Sequence, residues 1–297
     1  MQKLTYYLFL LFINSFGRLP FGMIYGFGKG LKFLLKRVFG YRKKVITQNL
    51  EITFPEKSDE EKAIITDGFY DYLSRVVVEG LKQWKMSKEE ILARCTIRNP
   101  EIFEPYVAQK KSIICVAAHY NNWEWAAPST SLQLDHHIVG VYKALKNPHI
   151  NERLLRLREI SGIEFVDVKD TYKVIEKYER EGKACMYVLL ADQSPAYLDK
   201  SIWVDFFGHQ TPTIKGPETL AKKYNFPILY GESILVKKGY YELVFHKLCD
   251  DPQTAAPKEI TQKFLNHVER QIRANPANWL WSHRRWKRIP DGVVVVE

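Results

Sequence analysis

The spacing of apolar positions changes twice along the chain. Residues Leu4 to Ile13 form one apolar run and Leu19 to Leu35 a second; Arg18 and Pro20 separate them, and the second carries Lys29, Lys32 and four glycines. The first run is about half as long as a membrane-spanning helix needs, and neither is a clean span. Val45 to Phe54 reads as a short helix ending before Pro55. Ser58 and Glu61 then make a capping box. The helix that follows is predicted to reach about Trp84, with Phe69, Tyr72, Leu73, Val76, Val77 and Leu81 at helical spacing. Ser87 and Glu90 repeat the box pattern.

From residue 112 onward, short apolar blocks alternate with amphipathic ones. Strands are predicted at Ser112–Ala118, His137–Tyr142, Ile163–Val166, Ala184–Leu190 and Pro227–Glu232. Leu235–Val236 and Tyr240–Lys247 flank a hairpin turn at Lys238-Gly239. Helices are predicted at Pro148–Ser161, Thr171–Glu181, Gly216–Tyr224 and Lys258–Ala274. This order specifies the α/β class: a mixed, mostly parallel sheet flanked by helices on both faces. No repeat, low-complexity tract or Gly/Ser linker divides it. One catalytic domain over residues 45–297 behind a hydrophobic, basic anchor over residues 1–44 is the simplest organisation.

Charge sharpens the reading of that anchor. The net charge is +10, yet residues 1–50 hold nine of the 44 basic residues and none of the 34 acidic ones, so the rest of the chain is close to neutral. A uniformly basic nucleic-acid binder is disfavoured. The cluster at 36–44 sits beside apolar sequence, where anionic lipid attracts it by roughly 1 kcal/mol per residue. It also places the following domain on the cytoplasmic side. A signal peptide fits poorly, because only Lys3 precedes the first run and no small-residue cleavage site follows it. The alternative is a helical hairpin buried in a soluble domain. Cysteines 95, 115, 185 and 249 form no CxxC pair and no zinc pattern, which suits reduced buried thiols.

Candidate chemistry collects just past strand ends. His119 closes the run Ser112–Ala118 and opens His119-Tyr120-Asn121-Asn122-Trp123-Glu124. Open α/β sheets bind ligands at the carboxyl ends of their strands. Glu124 can orient the imidazole if the chain turns there and His119 precedes the helix, since a five-residue helical spacing would turn the two apart. A base held by a carboxylate can take a proton from a hydroxyl. Lys143 and Asn147 follow the second strand, and Asp192-Gln193 follow Ala184–Leu190. A loop carries Val204 to Gly208 and Thr211 to Thr213. Trp279 to Arg288 includes His283, Arg284 and Arg285.

These blocks resemble those of the bacterial lipid A late (secondary) acyltransferases, within the lysophospholipid acyltransferase superfamily. The likeness covers nearly the whole chain. It rests on His-x4-Glu at His119 and Glu124, and on Arg42-Lys43-Lys44, Asn49-Leu50 and Phe54-Pro55-Glu56. It continues through Tyr142-Lys143 with Asn147-Pro148, then Asp192-Gln193, Phe206-Phe207-Gly208, Thr211 to Thr213 and Gly216, and ends at Trp281-Ser282-His283-Arg284-Arg285. Lys143 stands where the family usually has Arg, which keeps the charge but loses the bidentate fork.

The resemblance implies a glycerol-3-phosphate acyltransferase-like fold at the bacterial inner membrane. It implies transfer of an acyl chain from acyl carrier protein to a hydroxyl of a lipid A precursor, without a cofactor. His119 and Glu124 are then catalytic, and Lys143, Asn147, Asp192, Gln193, Thr213, His283, Arg284 and Arg285 bind substrate. The acidic carrier suits basic residues near Lys143 to Lys146 and Arg284 to Arg288, and anionic membrane lipids suit the anchor. Competing readings are the same chemistry on an aminolipid or lyso-glycerolipid, a membrane-bound binding protein, and a metallohydrolase. The last lacks HExxH spacing.

Overall fold

In the computed structural model, residues 2–144, 147, 151–152, 155, 162–199 and 201–288 are described. Seven strands form the main sheet: β1 (Cys95–Ile97), β2 (Ile113–Ala117), β3 (His137–Tyr142), β4 (Glu164–Asp167), β5 (Cys185–Leu190), β8 (Ile228–Lys237) and β9 (Tyr240–Cys249), in the order β1-β9-β8-β2-β5-β3-β4. Every neighbouring pair is parallel except β8 with β9. The mixed, mostly parallel sheet expected from the alternating blocks is therefore present. β2 lies between β5 and β8 and is covered on both faces, which is why it reads as a continuous apolar run rather than an alternating one. The chain builds β3, β4 and β5 on one side of β2 and β8, β9 and β1 on the other, so the strand order reverses at β2.

Helices α1 (Gln2–Phe16), α2 (Phe21–Phe33), α3 (Lys43–Thr53) and α4 (Asp59–Gln83) precede the sheet. Ser58 caps α4 with the full capping box, and Ser87 accepts the Glu90 N–H to start α5 (Lys88–Arg94). Within the sheet come α6 (Glu104–Ala108), α7 (Trp123–Gln133), α8 (Thr171–Arg180), α9 (Gly216–Tyr224) and α10 (Glu259–Ala274). Gly239, with φ +77°, makes the expected turn between β8 and β9. The helix expected over Pro148–Ser161 lies largely outside the described residues, as does Lys146.

Two expectations change. The segment taken as a loop is a two-stranded ribbon, β6 (Ser201–Phe206) and β7 (His209–Ile214), paired from Ser201 with Ile214 to Phe206 with His209. Phe207 and Gly208 turn it with φ values of 57° and 76°, the pair of positive angles a tight hairpin needs. Pro212 and the Phe-Phe-Gly run read as loop, but a two-stranded ribbon is all edge and tolerates proline. Second, the strands predicted at Pro227–Glu232 and Leu235–Val236 merge into one ten-residue strand, β8, which starts at Ile228.

Helices α1 and α2 are 15 and 13 residues long, about 20 Å each, well short of a bilayer core. No helix among the described residues is long and apolar enough to cross a membrane. One face of the pair packs on α4 through Phe16, Ile24 and Val78. The Lys82 ammonium, also on α4, donates to the Gly17 carbonyl. The pair leaves Leu11, Phe12, Met23, Phe27 and Phe33 exposed, as is Phe39 just beyond it.

Candidate active site

The His119 loop is built by short polar residues that accept unusual backbone. β2 ends at Ala117, and the Tyr120 N–H folds back to the Ala118 carbonyl. Asn121 adopts a left-handed φ of 50° and donates its N–H to Asn278; asparagine tolerates that region better than most residues. The Asn122 side chain then accepts the Trp125 N–H and caps α7. His119 thus stands before the helix, and Glu124 lies in its first turn.

The carboxylate on the imidazole is Asp192. Its Oδ1 lies 2.7 Å from His119 Nδ1, while Oδ2 accepts the His119 N–H at 3.1 Å and the Trp279 indole N–H at 2.8 Å. Strand register produces this contact. Ala117 pairs with Leu190, so the residues two places past each strand end, His119 and Asp192, come side by side. Glu124 was expected to orient the imidazole and Asp192 to contact substrate; the parallel β2–β5 pairing puts Asp192 at Nδ1.

The electrostatics follow from the pairing. Burial works against the Asp192 charge, but His119 and the three donors more than offset it and hold the carboxyl below its usual range. Burial likewise opposes an imidazolium at His119. The Asp192 charge and hydrogen bond, with a further contribution from Glu124, raise its pKa nonetheless. An ionised Asp192 can only accept, so Nδ1 carries a proton and Nε2 is the basic nitrogen. The His119 side chain is 17% exposed.

A buried carboxylate supports this loop from behind. Glu79, on α4, accepts from Asn122 Nδ2 at 2.8 Å, the Tyr241 hydroxyl at 2.7 Å and the Tyr25 hydroxyl at 2.9 Å. Its carbonyl accepts the Trp125 indole N–H. Burial raises its pKa. Sequence reasoning missed Glu79, although a signal existed. It falls three residues after Val76 and seven after Tyr72, on the stripe read as apolar.

The C-terminal block wraps the other side of the pair. Leu280 N–H donates to the His119 carbonyl, and Tyr120 bridges Trp279. Asn49 donates to the carbonyls of Trp281 and His283, so the early Asn-Leu block clamps the late Trp-x-His block. Phe54 packs on Phe207 and Trp281, and Phe206 stacks on Trp286. The scattered sequence blocks therefore meet in one aromatic cluster behind the histidine.

The remaining predicted residues divide. Arg285 is fully buried, donating to the Pro212 carbonyl at 2.7 Å and Thr213 Oγ1 at 2.8 Å. Burial depresses its pKa to about 10. Thr213 is fully buried as well. The two hold the β6–β7 ribbon to the C-terminal block and are closed to a substrate, which corrects the expectation that they bind one. His283 Nε2 accepts the Ser194 N–H at 2.9 Å. Burial lowers its pKa to about 4, so the ring is neutral with its proton on Nδ1. Gln193 is half-buried beside Asp192, and Arg284 is half-buried beside His283. Lys143 is exposed just past β3, on the same rim but two strand spacings, about 10 Å, from β2. Asn147 follows β3, and its carbonyl accepts the Asn151 N–H.

Two apolar spaces accompany the site. A cavity of about 40 Å³ lies between α7 and the sheet, lined by Ala117, Ala118, Trp123 and Gly231 among others. An open groove of about 950 Å³ runs between α1, α2 and α4, lined by Phe16, Met23, Phe27 and Val77 among others. Among the described residues, no three His, Cys, Asp or Glu side chains are grouped to hold a metal ion.

A base at a strand-reversal point, oriented by a buried carboxylate, suits transfer to a hydroxyl. The family model described as bacterial lipid A biosynthesis acyltransferase matches residues 1–288. The chain belongs to this family. It is similar to a lipid A biosynthesis lauroyltransferase of Escherichia coli strain K12, with 28% identity over 93% of this chain and 89% of the relative. It is also similar to a lipid A biosynthesis acyltransferase of Haemophilus influenzae, with 24% identity over 92% and 87%. The chain is an acyltransferase of lipid A biosynthesis, and the blocks at Asn49, Phe54, Asp192, Phe206-Phe207 and Trp281 to Arg285 are among those that converge behind His119.

Proposed function

We propose that this acyltransferase moves a fatty acyl chain from acyl carrier protein thioester to a hydroxyl of a lipid A precursor. The observation that carries the mechanism is the 2.7 Å contact between His119 Nδ1 and Asp192. His119 Nε2 takes the acceptor's hydroxyl proton. The alkoxide attacks the thioester carbonyl, and the tetrahedral oxyanion collapses to expel the thiolate. The thiolate recovers the proton from the imidazolium, leaving an ester and a free thiol. No acyl-enzyme is required. Asp192 fixes the tautomer, and Asp192 and Glu124 together stabilise the imidazolium. Among the backbone donors near 120–122, Tyr120 and Asn121 N–H are given to protein carbonyls, so Asn122 N–H at the start of α7, with Lys143, is left for the oxyanion. Gln193, His283 and Arg284 line the substrate side of the same rim, and Asn147 contributes from the segment that follows β3.

Residues 1–44 seat the catalytic domain on the cytoplasmic face of the inner membrane. The exposed apolar face of α1 and α2 enters the interface, while Lys29, Arg37, Lys43 and Lys44 meet anionic headgroups. The exposed apolar residues of α1 and α2, beside these cations, support an in-plane seat.

The test uses full-length protein in vesicles with labelled acyl carrier protein and each acceptor class. His119→Ala is expected to lose at least about 100-fold in transfer rate. No transfer to lipid A precursors by the wild type, with transfer to an aminolipid or lyso-glycerolipid, would overturn the acceptor assignment.

A further inference from the structure

The segment Arg284 to Arg288 places four cations in five residues. Among the described residues, no carboxylate forms an ion pair with any of them. Elsewhere, cations find acids: Lys32 and Lys36 share Asp67, Lys263 meets Glu259 and Arg273 meets Glu269. Arg285 is spent on the β6–β7 ribbon, as described. Arg288 donates to the Pro195 carbonyl at 2.9 Å and the Ala196 carbonyl at 3.1 Å, contacts that fix its position without cancelling its charge. The Arg284 Nε is buried with no hydrogen-bond partner. Lys287 lies close to both arginines, and burial together with Arg288 and Arg284 lowers its pKa. Three mutually repelling cations are thus held together, with no carboxylate paired to them among the described residues.

Their position is informative. Pro195 is three residues from Asp192, no more than about 11 Å along extended chain, and Ser194 between them holds His283. The cluster therefore sits on the segment that follows Asp192, the carboxylate paired with His119.

We propose that Arg284, Lys287 and Arg288 form a binding site for a phosphate group carried by one of the two substrates. The inference rests on the acyl-transfer reading. Arginine supplies paired, directional donors for phosphate oxygens and lysine a compact charge, and both bind more strongly where water is partly excluded. Arg285 takes no part in binding. It anchors the segment from beneath, so the other three are held in place before substrate arrives. The phosphate has two sources of the same chemistry: the lipid acceptor, or the phosphopantetheine arm of the carrier.

The experiment measures KM for each substrate and inhibition by inorganic pyrophosphate, for full-length wild type, Arg284→Gln and Lys287→Gln, with thermal unfolding as a folding control. KM for the phosphate-bearing substrate is expected to rise about 10-fold or more, as for loss of a charge-assisted contact, with kcat changed far less. Pyrophosphate should compete with that substrate in the wild type and lose potency in the variants. A rise confined to the acceptor, abolished when its phosphates are removed, assigns the site to the acceptor; a rise confined to the acyl carrier assigns it to the donor. Unchanged KM for both substrates with unchanged pyrophosphate inhibition overturns the site, as does loss of vesicle binding alone, which would make the cluster a membrane contact. Wild-type protein that transfers no acyl chain at all would instead overturn the acyl-transfer reading.

Discussion

Asp192→Asn isolates the group that orients the histidine. The change keeps size and removes one charge, but the amide cannot satisfy all three contacts. Asp192 now accepts from His119 Nδ1, the His119 N–H and the Trp279 N–H. If the amide NH₂ faces Nδ1, it forces the proton to Nε2 and removes the basic lone pair. If the amide oxygen faces Nδ1, the NH₂ meets two N–H donors. A buried donor left unmatched costs about 1–3 kcal/mol, so the tautomer flip is favoured. In serine-protease triads the same exchange lowers kcat by about 10⁴ through the wrong tautomer, and here a loss of about 10³–10⁴-fold is expected.

The pH profile gives a second readout. His119 has its pKa raised above 6.5 by Asp192 and Glu124 against burial, so wild-type transfer should rise with pH through an inflection above 6.5 as the base is freed. Without the Asp192 charge, burial prevails and the residual activity should inflect at lower pH. Stability follows with opposite limits. The His119 contribution is complete below 6.5 and is lost as pH climbs through the raised value. The Asp192 contribution is complete above 3.8 and is lost as pH falls through the lowered value. Their joint window is therefore mildly acidic. Initial rates across pH, with nitrogen NMR of the His119 tautomer, make the measurement. A variant retaining more than a tenth of wild-type kcat with an unmoved inflection would refute the assignment and return the orienting role to Glu124.

Glu124→Gln leaves the Asp192 contact intact, so kcat should fall by on the order of 10-fold, with an inflection shifted to lower pH than in the wild type. Rates at pH 6 and 8 decide it. Glu79→Ala strands the Tyr25 and Tyr241 hydroxyls and Asn122 Nδ2; a loss of about 3 kcal/mol or more is expected from thermal or denaturant unfolding. Phe27→Glu with Phe39→Glu should weaken binding to anionic vesicles by about 10-fold or more per site, since each ring contributes about 1.5–3 kcal/mol when buried. Flotation on a gradient measures it, and unchanged binding would rule out the in-plane seat.

Much of the fold was legible because it depends on local spacing. β2 announced itself as an apolar run covered on both faces, α4 by its capping box and stripe, and the β8–β9 turn by Lys238-Gly239. The β6–β7 ribbon was not, because its pairing joins residues read as loop and its turn places a phenylalanine at positive φ. Glu79 stayed hidden as one acid on an apolar face, intelligible only once three donors from α2, the His119 loop and β9 converge on it.

By itself the sequence determined the strand that leads to His119, the capped helix that opens at Ser58, the basic apolar start and the set of blocks marking an acyl-transfer family. These follow from periodicity, capping and composition, which act between near neighbours. Tertiary structure alone decided which carboxylate the imidazole meets. Asp192 is 73 residues from His119 in sequence, and the β2–β5 register brings them together while placing Glu124 in the adjacent helix. It also decided that Arg285 and Thr213 would be buried as a clasp while Arg284, Lys287 and Arg288 stayed on the rim. Burial depends on what packs over a residue, and here that cover comes from a ribbon some 70 residues earlier in the chain.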